Sequence, residues 1–146
     1  MRQVLESQFA IVYSAGNAKQ LRFATYLANL LQMTGDSVAQ IISDGEPASD
    51  FDGSVDNAIF LGGPGSNKWA ARLLDGHGAD IAIEGSGQSI RVGPCVFSGP
   101  GLGMAALVPF GSGKRLALVI DGTDDEGMLD AVLLGTPTIP PMVRQP

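Results

Sequence analysis

The stretch from residue 57 to residue 74 constrains the fold more than any other part of the chain. Its sequence, NAIFLGGPGSNKWAARLL, begins with a short apolar run, breaks at a turn containing three glycines, and resumes with residues that favour helix. This order predicts a buried strand, a tight turn and a helix. In an open α/β sheet such a turn lies at the carboxyl end of the strand, where ligands usually bind, and the helix that follows offers free backbone N–H groups.

The segments before this stretch repeat the same order of elements. Residues 8–14 are predicted to form a strand, and the chain then has apolar residues at helical spacing through Met33. Residues 37–43 are predicted to form a second strand, and the polar segment 44–56 a surface loop before the strand at 57–61. Strands that alternate with helices indicate a parallel sheet covered by helices.

The second half of the chain has a different pattern. Short apolar pieces are separated by Gly, Ser and Pro, and the dozen or more residues that a parallel crossover needs are missing between them, so we expect hairpins. Residues 116–120 predict a central strand, and the segment after it predicts a helix to Leu134, with Thr123 as its N-cap and Glu126 at the capping-box position. The chain is therefore expected to form one α/β domain over residues 1–146. We expect a three-layer flavodoxin-like or Rossmann-like sheet, parallel in the N-terminal half with antiparallel additions in the second half.

The last twelve residues, 135–146, contain four prolines together with Ile139, Met142 and Val143. Proline excludes a helix interior or a central strand here, and exposed apolar side chains bring no benefit to an isolated domain. We expect this tail to continue into another segment or to pack on one.

Composition limits the partners. The net charge of -6 disfavours nucleic acid, because phosphate binding depends on clustered Lys and Arg, and no basic run is present. No apolar run approaches the roughly 18 residues of a membrane span, so a membrane partner is not expected either. Only 16% of the residues are charged, below the usual share of about 25%, which indicates either an extensive interior or apolar surface presented to another protein. The N-terminal residues do not resemble a targeting signal, and the compartment stays open, with a secreted parent protein as one option.

Three segments, residues 14–17, 62–67 and 121–125, fall at the carboxyl ends of predicted parallel strands, where they are expected to line one edge of the sheet. Asp side chains there could hold a divalent cation, but helix capping and turn formation explain the same residues without a ligand. The glycine turn is no P-loop, since Lys68 is followed by Trp69 rather than by Ser or Thr. No metal site or cofactor is assigned. The candidate ligand-binding residues are Ser14, Gly16, Asn17, Gly62, Gly63, Gly65, Ser66, Asn67, Asp121, Thr123 and Asp124.

No catalytic residue is predicted. The only histidine, His77, lies in an Asp-Gly-His-Gly turn and is expected to be solvated, while the only cysteine, Cys95, is expected to be a buried packing residue. A Ser or Cys nucleophile needs a base within hydrogen-bond reach, and neither EGSGQ nor FGSGK has the form of a nucleophile elbow. The second glycine-rich piece, FSGPGLGMAAL, leads into a predicted strand, so it is read as a hairpin turn rather than a dinucleotide fingerprint.

Four pieces of the chain resemble a family. The pieces AIFLGGPGSNKWAARLL, IRVGPCVFSGPGLGMAAL, RLALVIDGTDDEGMLDAVLL and IPPMVRQP are similar to a terminal region of large fungal and bacterial polypeptides, the prolyl-oligopeptidase-like (S9-type) serine hydrolases. The shared motifs are structural turns. The resemblance implies a segment that accompanies an α/β-hydrolase domain without carrying its catalytic Ser, Asp and His.

Three functional hypotheses follow. The leading one is a non-catalytic accessory or interaction domain of a serine-hydrolase-like protein, with another domain or chain of that protein as its partner, and a homo-oligomer left open. The alternative is a small-molecule or nucleotide-binding module that uses the carboxyl edge of the sheet. A stand-alone hydrolase is the weaker alternative, because it needs a base that the sequence does not reveal.

Overall fold

The computed structural model of the protein describes residues 8–35, 38–46, 57–73, 81–84, 89–110 and 115–134. Within these residues the chain is mixed α/β. Its helices are α1 (Ala18–Gly35), α2 (Lys68–Leu73) and α3 (Asp125–Leu134). Its strands are β1 (Phe9–Tyr13), β2 (Gln40–Ser43), β3 (Asn57–Leu61), β4 (Ile81–Glu84), β5 (Ser89–Val92), β6 (Cys95–Ser98), β7 (Gly103–Phe110) and β8 (Arg115–Gly122).

Five strands form the main sheet in the order β2-β1-β3-β8-β7. The first four are parallel to their neighbours, and β7 joins β8 as an antiparallel edge strand. At the centre of the sheet, Ala58 of β3 lies opposite Ala10 of β1 on one side and Ala117 of β8 on the other. The predicted parallel core with an antiparallel addition in the second half is therefore confirmed.

Both faces of the central strands are buried, because their apolar side chains alternate between two clusters. On one face Ile11, Ile59 and Ile120 pack with apolar residues of α1 and α3. On the other face Phe60 packs in a cluster that includes Trp69 of α2. The helices thus cover opposite faces of the sheet and leave its carboxyl edge accessible to the loops.

The helix starts are set by polar side chains. Asn17 caps α1, where its Oδ1 accepts hydrogen bonds from the backbone N–H groups of Lys19 (3.2 Å) and Gln20 (3.1 Å). The prediction for α3 was wrong by one residue: Asp124, not Thr123, caps this helix, and its Oδ1 accepts from Gly127 N at 2.9 Å. Thr and Asp are both good caps, and tertiary contacts of Thr123 decide between them.

A second sheet contains β4, β5 and β6 in antiparallel order, so the predicted hairpins are confirmed. Ile90 of β5 lies opposite Phe97 of β6, and Val92 lies opposite Cys95. Ile90 is buried in the same cluster as Phe60, and this side chain links the small sheet to the main core. Cys95, in contrast, is exposed, so its assignment as a buried packing residue was wrong. An apolar strand is buried only where something covers it, which the strand sequence does not specify.

Three predictions lie wholly or mostly outside the described residues. These are the surface loop, of which residues 47–56 are not described, the solvated turn with His77, and the proline-rich tail at 135–146. In the part of the chain that the structure describes, no helix is long and apolar enough to cross a membrane.

Candidate functional site

Asn67 joins two strand ends to a helix start at the carboxyl edge of the sheet. It is buried, and its Nδ2 donates to the carbonyl oxygens of Val12 (3.3 Å) and Leu61 (3.2 Å). Its Oδ1 accepts from the backbone N–H groups of Trp69 (3.1 Å) and Ala70 (3.0 Å), which caps α2. Two donors and two acceptor lone pairs are all that an amide side chain offers. The hydrogen-bonding capacity of Asn67 is therefore used within the fold.

Asp44 makes a similar connection that the sequence did not reveal. It follows β2 directly and is buried, although segment 44–56 was expected to be a surface loop. Its two carboxylate oxygens accept from Ala15 N at 2.6 Å and from Lys68 N at 2.8 Å. The carboxylate thus ties the loop after β1 to the first residue of α2. Its position after a parallel strand was the available signal.

The glycine turn after β3 has a structural reason. Gly62 has a φ of +92°, and a Cβ at this position would lie 2.4 Å from Ser66 Oγ. The Gly62 N–H donates to Ile120 O at 2.8 Å, which holds the turn against β8. Gly65, the third glycine of the turn, is exposed. The turn therefore needs glycine for its backbone shape, independently of any ligand.

Asp121 lies at the end of β8 and bridges two loops. Only 8% of the residue is exposed. One carboxylate oxygen accepts from Gly63 N at 2.6 Å and the other from Gly122 N at 2.9 Å. Burial raises the pKa of Asp121 above its ordinary value, although the two backbone hydrogen bonds act in the opposite direction. This side chain is the most strongly desolvated acid of the predicted site.

Asp124 and Thr123 connect α3 to the turn that precedes β7. Asp124 Oδ2 accepts from Gly101 N at 2.7 Å, and Thr123 Oγ1 donates to Gly99 O at 3.1 Å. The pKa of Asp124 is lowered by its hydrogen bonds from Gly127 N and Gly101 N. Asp124 is thus held as a cap, as the structural alternative proposed.

The loop after β1 contributes the last group of predicted residues. Ser14 Oγ donates to Ser66 O at 2.7 Å, and Ser14 N donates to Gln20 Oε1 at 2.8 Å. Gly16 is exposed and has a φ of +77°. The three predicted segments therefore meet at one edge of the sheet, as expected, and they bind one another through backbone groups.

A cleft of about 370 Å³ opens at this edge between the starts of α1 and α3. Four of the predicted residues line it: Asn17, Ser66, Asp121 and Asp124. The other seven lie outside its lining: Ser14, Gly16, Gly62, Gly63, Gly65, Asn67 and Thr123. The cleft lies at the edge where ligand binding was expected, but most of the predicted residues support the cleft instead of facing it.

Helical residues complete the cleft, and Asp125 is the one among them that belongs to a segment expected to line this edge. Lys19 and Phe23 come from α1, and Asp125 and Met128 come from α3. Lys19 Nζ donates to Asp125 Oδ2, which links the two helix starts. In each helix the two residues are three or four positions apart and so share a face, a periodicity that was available in the sequence. Gln20 and Gly122 also line the cleft.

The chemistry that the cleft offers is hydrogen bonding and charge. Among the described residues, no three His, Cys, Asp or Glu side chains are placed to hold a metal ion. Asp121, Asp124 and Asp125 supply negative charge, and Phe23 and Met128 supply apolar surface. Such an arrangement can bind a small molecule by complementarity of charge and shape.

No protein-family model matches the chain. No curated protein matches it either.

Proposed function

We propose that this chain is a non-catalytic interaction domain of a serine-hydrolase-like protein, and that its partner is a catalytic domain of that protein. The observation that carries the proposal is an apolar surface on the small antiparallel sheet. It consists of Val92, Cys95 and Phe97, which we call the β5–β6 face.

The β5–β6 face lies on the same side of the small sheet as Ile90, a residue of the core. Ile90 and Val92 lie two residues apart on β5, so their side chains point to the same side of the sheet. Phe97 lies opposite Ile90, and Cys95 lies opposite Val92, on that same side. Ile90 is buried in the main core, whereas Phe97 is 54% exposed and Val92 44% exposed. The apolar side of the small sheet is thus only partly covered by the domain itself.

Burial of the β5–β6 face by another protein would stabilise the complex. Burying a whole Val or Phe side chain contributes roughly 1.5–3 kcal/mol, and about half of each side chain is still exposed here. Clustered exposed apolar residues of this kind mark protein–protein contacts more often than isolated ones do. The resemblance of four pieces of the chain to prolyl-oligopeptidase-like hydrolases favours a hydrolase domain as the protein that covers the face.

A binding measurement with matched variants tests this proposal. The chain is mixed with each prolyl-oligopeptidase-like catalytic domain of the source genome, and affinity is measured by calorimetry. We expect Phe97→Ser to abolish binding to the partner domain. Leu107→Ser, which changes an apolar residue of similar exposure on β7, should leave binding unchanged. Equal binding by both variants, or binding to none of the domains, would contradict the proposal.

Turnover by the chain itself distinguishes the proposal from a stand-alone hydrolase. We expect no hydrolysis of ester or peptide substrates above the rate in buffer. Turnover that disappears in a His77→Ala variant would overturn the non-catalytic assignment.

For the fold, we propose a three-layer flavodoxin-like arrangement. Its support is the strand order, in which β1 lies between β2 and β3, together with helices on both faces of the sheet.

A second candidate function is a small-molecule-binding module that uses the cleft. The specific observation in its favour is the cleft volume of about 370 Å³, within the range of roughly 300–1,000 Å³ that is common for ligand sites. Thermal-shift measurements against a panel of small molecules test it, because a ligand at 100 times its Kd adds about 2.7 kcal/mol of stability. No shift with any compound would count against the module.

A further inference from the structure

The charges around the cleft indicate which class of small molecule it would take. Three carboxylates line the cleft, from Asp121, Asp124 and Asp125, against the single ammonium of Lys19. Lys19 is already paired with Asp125. The side chains therefore leave an excess of two negative charges at one small opening.

The helix starts oppose this charge but do not cancel it. The N-termini of α1 and α3 lie at the cleft, and each helix dipole is equivalent to roughly half a positive charge. The two dipoles together offset about one of the two excess charges. In addition, Asn17 and Asp124 occupy N–H groups of the first turns, which are the groups that a bound phosphate would need.

The cleft also presents acceptors and an apolar wall. Asp121 accepts two backbone hydrogen bonds and Asp124 accepts three, while an ionised carboxylate has about four lone-pair sites. Acceptor capacity therefore remains for an ammonium group, which is a donor only. Phe23 and Met128 form the apolar part of the lining and can contact a short hydrocarbon chain.

We infer that the cleft binds a small organic cation, a primary ammonium carried on a short apolar body, and discriminates against phosphate and carboxylate anions. This inference rests on the second candidate function. The ammonium lies among the three carboxylates, and the hydrocarbon lies against Phe23 and Met128. Nucleotides, whose phosphates would meet the same carboxylates, are poor ligands for this cleft.

Titration with four matched probes tests the inference. Butylammonium, butanol, butyrate and inorganic phosphate are added to the chain at equal ionic strength, and backbone amide shifts are followed by NMR. Butylammonium is expected to shift the amide signals of Gly122 and Gly127, and to bind more tightly than butanol. Butyrate and phosphate should produce no saturable shift.

Charge variants identify the side chains responsible. Asp125→Asn is expected to weaken butylammonium binding by up to about fivefold, the effect of one exposed ion pair. Lys19→Met should tighten the same binding, because it frees the carboxylates from competition. Asp130→Asn is the matched control, since Asp130 is an exposed acid of α3 outside the lining of the cleft. An equal effect of Asp125→Asn and Asp130→Asn would place the cation elsewhere and contradict the inference.

The remaining outcomes separate the two levels of the proposal. If phosphate or butyrate saturates the cleft signals and butylammonium does not, the ligand class is wrong although the binding function stands. If none of the four probes shifts these signals, the inference fails, and the binding function is then judged by the wider thermal-shift panel alone.

Discussion

At the scale of single residues, the two acids at the end of β8 behave in opposite ways. Asp121 is buried, and desolvation raises its pKa. Asp124 is exposed, and hydrogen bonds from Gly127 N and Gly101 N lower its pKa. Asp121 accepts two backbone hydrogen bonds and Asp124 accepts three, so both burial and the number of hydrogen bonds separate their pKa values.

The pH dependence of stability should show the two acids separately. An unfolded Asp ionises at about pH 3.9. Because the folded pKa of Asp121 is higher, the native state holds this proton longer, and its contribution to stability falls as pH rises from the unfolded to the folded pKa. Asp124 acts in the opposite direction: its contribution is present above the unfolded pKa and is lost as pH falls through the lower folded value.

Urea unfolding at several pH values, with the variant Asp121→Asn, measures the first effect. In the variant, stability should no longer fall as pH rises from the unfolded pKa of Asp121 to its folded pKa. At neutral pH the variant removes the cost of burying the Asp121 charge. The single amide oxygen of the new Asn, however, replaces only one of the two carboxylate acceptors, and the buried N–H left without a partner costs about 1–3 kcal/mol. An unchanged pH profile in the variant would show that Asp121 is not the titrating group.

Asn67→Ala should be among the most damaging polar substitutions in the chain. It removes a cap and leaves two carbonyl groups and two N–H groups without their side-chain partner. We expect a loss of about 2–4 kcal/mol in the free energy of unfolding, measured in urea. Asn17→Ala, which removes an exposed cap, is the control and should cost about 1 kcal/mol. Similar losses for both variants would contradict the bracing role of Asn67.

At the scale of elements, the turn after β3 shows what a glycine-rich motif can and cannot tell. The sequence pattern predicted a strand, a turn and a helix, and the structure has β3 and α2 on either side of a turn. The pattern could not show whether the glycines serve a ligand or the backbone, because that depends on contacts with residues far along the chain. Ile120 and Asp121 supply those contacts, because they accept hydrogen bonds from Gly62 N and Gly63 N.

Two glycine substitutions separate strain from close contact. Gly62 and Gly16 both have positive φ, so an alanine is strained at either position. Only at Gly62 would the new Cβ meet another atom, Ser66 Oγ at 2.4 Å, whereas nothing lies within 4 Å at Gly16. We expect Gly16→Ala to cost roughly 1 kcal/mol and Gly62→Ala clearly more, by thermal or urea unfolding. Equal costs would show that the turn can move away from the contact.

The elements themselves were largely predictable, and the contacts between them were not. Apolar runs and helical spacing located β1, β3, β8 and α1, since burial on one or two faces leaves a periodic trace in the sequence. The cap of α3 was misplaced because Thr123 is bound to Gly99, a contact across 24 residues. The burial of Asp44 depends on Lys68 N, again 24 residues away. Long-range pairs of this kind leave no local signal.

At the scale of the whole molecule, the centre of the main sheet is covered on both faces, whereas the small sheet is only partly covered. The central strands are buried on both faces between α1, α3 and α2. The β5–β6 face, in contrast, carries apolar side chains into solvent. The sequence predicted the hairpins but placed Cys95 in the interior, because a strand of apolar residues looks the same whether the domain or a partner covers it.

The core accounts for the stability of the isolated domain. Phe60→Ala should destabilise the chain by about 3–5 kcal/mol, because Phe60 is fully buried on the central strand β3 and leaves a cavity. Phe97→Ala should cost far less in the isolated chain, since Phe97 is half exposed there. Comparable losses in urea unfolding would mean that Phe97 is part of the core and would remove the basis for the interaction surface.

The reactivity of the Cys95 thiol tests the interaction proposal most directly, because the thiol is exposed within the β5–β6 face. Alkylation by iodoacetamide is followed by mass spectrometry for the chain alone and with increasing amounts of the hydrolase-like partner domain. The proposal predicts ready alkylation of the free chain and protection in proportion to the fraction bound. Alkylation at the same rate in the free and the fully bound chain would contradict it.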